Sequence, residues 1–73
     1  MDKALELTRM HIQARVNNLS QQIEHHSDII VQSMDEIEVS LAAIAMMHLT
    51  AETRQLFTMA HDLGVQITPP FKP

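Results

Sequence analysis

The stretch VNNLSQQIEHHSDIIVQSMDEIEVSL, Val16 to Leu41, carries an apolar stripe that reads the same outward from a point between His26 and Ser27. Ile23 and Ile30, Leu19 and Met34, Val16 and Ile37, Ile12 and Leu41, and Leu5 and His48 are equidistant from that point. The steps between neighbours are three, four or seven residues, the spacing that lines up one face of a helix. A mirrored seam suits antiparallel packing, either as a hairpin folded at the centre or as two long helices crossing there. We therefore take Leu5, Ile12, Val16, Leu19, Ile23, Ile30, Met34 and Ile37 as the seam of an antiparallel helical dimer or bundle.

No Gly or Pro precedes Gly64, so the first 63 residues lack strong helix breakers and the fold class is all-α. Ile or Val recurs every seven residues at Val16, Ile23, Ile30, Ile37 and Ile44, but past Ile23 the companion set slips by one position to Met34 and Leu41. A stutter in a continuous helix produces that slip, and so does a chain reversal. Glu24, His25, His26, Ser27 and Asp28 lie at the slip, where Ser27 could serve as an N-cap but no Gly offers a left-handed C-cap. The expected first helix, about 2–48, is thus either continuous or broken near residue 27. Thr50, preceded by Leu49 and followed by Glu52, reads as the N-cap of a second, short helix over about 51–63, which Gly64 ends. These elements make one helical domain, 1–66. Residues 67–73 hold three prolines and should form an extended tail that packs back, with Phe71 as its anchor.

Between Val16 and Thr53 there is no Lys or Arg, while Asp28, Asp35, Glu36 and Glu38 fall within it. Reflection through the centre would set Arg15 beside Asp35, Glu36 and Glu38, which favours antiparallel over parallel pairing. The formal net charge of −4, with only five basic residues and no cluster of them, disfavours nucleic acid and membrane surfaces as partners. The opening MDKALELTRM lacks the apolar core of a secretion leader, and the apolar block Leu41 to Met47 is far shorter than a spanning helix. A soluble, cytoplasmic protein is the expectation.

The absence of cysteine removes thiol nucleophiles, disulfides and thiolate metal sites. There is also no glycine-rich phosphate loop and no enclosed Ser, His and acid arrangement, so no enzyme activity, cofactor or small-molecule substrate is expected. His11, His25, His26, His48 and His61 include no HExxH or comparable spacing, and no metal site is assigned. In an antiparallel dimer His26 of both chains would meet at the axis, which leaves a pH or metal sensor as an alternative.

The segment Leu41, Ala42, Ala43, Ile44, Ala45, Met46, Met47 would be apolar all round a helix and must be covered on more than one side. A chain of 73 residues leaves much apolar surface open when folded alone. A homodimer and a further protein partner are therefore both expected, with Leu41, Ile44, Met47, Leu56, Phe57 and Met59 as the partner-binding residues. The expected function is a small protein-binding module acting by helix packing, as a chaperone or adaptor or as an inhibitor of a regulatory protein. A self-assembling coiled coil with no other ligand is the competing structural reading.

Overall fold

A computed structural model describes residues 2–70 and consists, over those residues, of two helices and an extended tail. Helix α1 runs from Lys3 to Gln32 and α2 from Glu36 to Leu63, and they pack against each other as an antiparallel hairpin 51 Å long and 19 by 18 Å across. The long axis follows from helix geometry, since 30 residues rise about 45 Å. Asp2 caps α1 with a carboxylate oxygen that accepts from the Ala4 N–H at 2.9 Å.

The reversal falls at Ser33, Met34 and Asp35, not near residue 27, and it is built without glycine. The Ser33 N–H still donates to the Ile29 carbonyl at 2.8 Å, but its backbone turns extended and its hydroxyl accepts from the Asp35 N–H at 3.1 Å. Asp35 then caps α2, accepting from the Ile37 N–H at 2.9 Å. Glu36 and Glu38 occupy the first turn, where the exposed N–H groups favour negative charge. Two short polar side chains thus accept from the first N–H groups of α2, while the Ser33 backbone N–H serves the end of α1.

The C-terminal helix is 28 residues and not short, and the expected cap at Thr50 does not form. Thr50 lies inside α2, and Thr53 turns its hydroxyl back onto the Leu49 carbonyl at 2.8 Å, an intrahelical bond that leaves the helix unbroken. Gly64 does end α2, in the left-handed conformation at φ 72°. Its N–H donates to the His61 carbonyl and that of Val65 to the Ala60 carbonyl, both at 3.0 Å, so two of the last free carbonyls are satisfied.

Beyond Gly64 the chain turns back. Val65 and Ile67 pack, with Leu56 and Phe57, against the buried Ile12, Val16 and Ala60. The Thr68 N–H donates to Gln13 Oε1 at 2.8 Å and Gln13 Nε2 donates to the Thr68 carbonyl at 2.9 Å, which pins the tail across α1. The expected return of the tail is thus present through its aliphatic residues. Phe71 lies outside the described residues.

The core is a single seam. Ile12, Val16 and Leu19 of α1 are buried, and Ile23, His26 and Ile30 continue the line half-buried toward the turn. On α2, Ala42 and Ala60 are buried, with Val39, Met46, Leu49, Thr53 and Leu56 half-buried at intervals of three and four. Small residues at the two buried α2 positions let the helix axes approach closely. Arg15 reaches Glu52 at 2.6 Å across the hairpin, not Asp35, Glu36 or Glu38, because the reversal at residue 34 brings the middle of α2 beside it. Among the described residues no helix is long and apolar enough to cross a membrane.

Candidate protein-binding face

Helix α2 carries two apolar stripes. One, described above, faces α1. The other consists of Ile37, Leu41 and Ile44, which at 100° per residue lie about 140° round the helix from the first. These three are 72%, 62% and 52% exposed, and they run into Met34 at 98% in the turn and Met47 at 72% beside them. Val31, at the end of α1, is also exposed at this end of the molecule. Side chains of this size scattered singly need no explanation, but a stripe continuous from Met34 to Met47 does. Asp35, Glu36 and Glu38 are exposed around its N-terminal end and give it an acidic rim.

The other residues expected on the partner-binding face divide. Met59 is half exposed, whereas Leu56 and Phe57 are half-buried against the core of Ile12, Val16 and Ala60. Of the expected seam, Ile12, Val16 and Leu19 are buried within the chain's own hairpin, Ile23 and Ile30 are half-buried there, and Leu5, Met34 and Ile37 are exposed. Val31 and Leu63, not singled out by the mirror pattern, are exposed as well, at the end of α1 and the far end of α2.

Two open clefts lie on another flank of α2. One, about 560 Å³, is lined by Ile23, Thr50, Thr53, Arg54, Phe57 and Thr58, and the other, about 330 Å³, by Met46, Met47, Thr50, Ala51 and Arg54. Arg54 edges both and forms no ion pair among the described residues. Neither cleft encloses a set of groups that could carry out a reaction.

At the open end, Glu6 and Arg9 form an ion pair. Arg9 donates to both carboxylate oxygens of Glu6, at 2.7 to 3.2 Å, and this hydrogen bonding holds the Glu6 carboxyl below its ordinary range and raises the Arg9 guanidinium. The pair is a surface support for α1. The His26 Nδ1 is buried without a hydrogen-bond partner among the described residues, and its ring meets that of His25 edge-on at 5.4 Å. His11, His25, His48 and His61 are exposed, and no three His, Asp or Glu side chains among the described residues are grouped to hold a metal ion.

Neither a protein-family model, nor a curated protein, nor a solved structure matches this chain.

Proposed function

We propose that the chain is a small non-enzymatic protein-binding module that works by helix packing in the cytoplasm. The observation that carries this reading is the second apolar stripe of α2, Met34, Ile37, Leu41, Ile44 and Met47, left open while the first stripe is used by α1. An apolar core with an acidic rim is the anatomy of a binding patch. Two kinds of occupant suit it. A different helical protein would make the chain a chaperone, adaptor or inhibitor. A second copy would make an antiparallel homodimer with four-helix-bundle character.

Under either occupant, the stripe should be dispensable for the hairpin and necessary for association. The test is a triple variant, Ile37→Gln, Leu41→Gln and Ile44→Gln, compared with the wild type by circular dichroism, hydrophobic-dye fluorescence and sedimentation. The expected result is unchanged helicity with loss of both dye binding and self-association. A wild-type chain that neither binds dye nor associates would overturn the reading, and so would a triple variant that unfolds.

A further inference from the structure

Resting on that reading, we infer that the occupant is a second copy of this chain, and that α2 packs antiparallel on its counterpart about a two-fold axis level with Thr50 along the helix, on the side facing away from the Thr50 side chain. The first ground is the pattern of exposed apolar residues along α2. Ile37 lies as far before Thr50 as Leu63 lies after it, and Leu41 as far before as Met59 after. All four are exposed, at 72%, 40%, 62% and 50% in that order. On a helical projection Ile37, Leu41, Ile44, His48, Gln55, Met59 and Leu63 share an arc of about 100°, with Glu52 and Asp62 as its two acids. A two-fold axis at Thr50 therefore sets Ile37 on the partner's Leu63 and Leu41 on the partner's Met59, with each contact made twice. Such a surface is complementary to itself, as a two-fold interface requires.

Near the axis the same symmetry brings His48 opposite the partner's Glu52. The apolar ends thus flank a polar middle, and polar residues within a helix seam select one register over others.

The second ground is area. A compact monomer of 8.3 kDa exposes about 4,600 Å², whereas this hairpin exposes 5736 Å². The surplus, on the order of 1,100 Å², exceeds the roughly 800 Å² that each partner buries in a standard interface. A second copy packed over a standard interface would cover most of it.

Charge selects the orientation. Glu24, Asp28, Asp35, Glu36 and Glu38 all lie in the turn half of the hairpin, which holds no Lys or Arg. Lys3, Arg9, Arg15 and Arg54 lie in the open half, where they offset Asp2, Glu6, Glu52 and Asp62. Turn beside turn would crowd the five acids against their own copies. The antiparallel arrangement sets each acidic half against a neutral one.

Because the chain has no native cysteine, the register can be read by disulfide trapping. Leu41 and Met59 are about 27 Å apart along one helix, too far to bridge within a chain. On oxidation, the double variant Leu41→Cys with Met59→Cys should yield a covalent dimer, while Leu41→Cys alone and Met59→Cys alone should stay uncrosslinked. Ready crosslinking of either single variant would mean a parallel pairing and overturn the proposal. Sedimentation equilibrium of the wild-type full chain is the companion measurement, independent of the variants, and a dimer is expected. A wild-type monomer that binds a hydrophobic dye would overturn the second copy as occupant while the binding face stands. A monomer that binds no dye would overturn both.

Discussion

Replacing Leu19 with alanine tests the buried seam directly, because Leu19 and Val16 are the two side chains with no exposure at all. The substitution removes three carbons, worth about 2.4 kcal/mol at roughly 0.8 kcal/mol per buried methylene. A cavity term adds to this, but a seam between only two helices can partly collapse, so the lower half of the usual range of about 2 to 5 kcal/mol applies. We expect a loss of about 2.5 to 3.5 kcal/mol. A chain of 73 residues has on the order of 4 to 11 kcal/mol of stability, so this single change removes a quarter of it or more. With a urea dependence of about 1 kcal/mol per molar, the unfolding midpoint should fall by about 2.5 to 3.5 M. The assay is helical circular dichroism against urea at one fixed protein concentration, with Ile37→Ala as the control. Ile37 makes little contact within the hairpin, so at concentrations low enough to dissociate any dimer its loss should stay within about 0.5 kcal/mol. A cost below about 1 kcal/mol for Leu19→Ala, or an equal cost for the two variants in the dissociated chain, would refute this assignment of the core.

Three further outcomes follow from local chemistry. Asp35→Ala removes the side-chain acceptor at the start of α2 and should cost about 1 kcal/mol in the same urea assay, whereas Asp35→Asn should be nearly neutral; equal losses would mean that the cap is not what holds the turn. His26→Leu removes a buried ring nitrogen with no partner and should raise stability by about 0.5 to 1.5 kcal/mol; a fall would show that the nitrogen is satisfied in solution. The Glu6 carboxyl should titrate below the ordinary glutamate range by NMR and return toward it in Arg9→Gln. Because its folded value is depressed, whatever support the pair lends is present above the unfolded carboxylate's titration and is lost as pH falls through the folded one. An unshifted Glu6, or no response to Arg9→Gln, would contradict the pairing.

The helical class and the stop at Gly64 were legible in the sequence because each rests on a single strong local rule: no Gly or Pro before residue 64, and a glycine where φ must be positive. The position of the reversal was not. Its signal is Asp35 followed three residues later by Glu38, with Ser33 just before, a capping pattern that competes with two others of the same kind. Ser27 lies at the centre of the mirrored stripe, yet the backbone there stays helical. Thr50 with Glu52 and Thr53 has the composition of a helix start, but Thr53 bonds back within the helix and Glu52 is held by Arg15 from the other helix. Capping residues state where a helix can begin; the packing of α1 against α2 decides where it does.

The seam misled for a related reason. In the first half of α2 the bulkier stripe, Ile37, Leu41 and Ile44, points outward, while the stripe turned to α1 is built on Ala42 with Val39 and Met46. Periodicity weights large aliphatic residues, so it selects the outward stripe and places the fold's centre between His26 and Ser27. Contact between the helices favours small residues at the point of closest approach, and a helix apolar on both sides offers no pattern that separates the two roles. That same ambiguity is why Leu41, Ile44 and Met47 read as residues needing a cover, since a segment apolar all round cannot be satisfied by one neighbour. Leu56 and Phe57 differ because they pack, with Val65 and Ile67 of the returning tail, against the core of Ile12, Val16 and Ala60 on one flank of the hairpin. With that flank closed by the chain itself, the open side of α2 is the place where a further helix can pack without displacing anything already there.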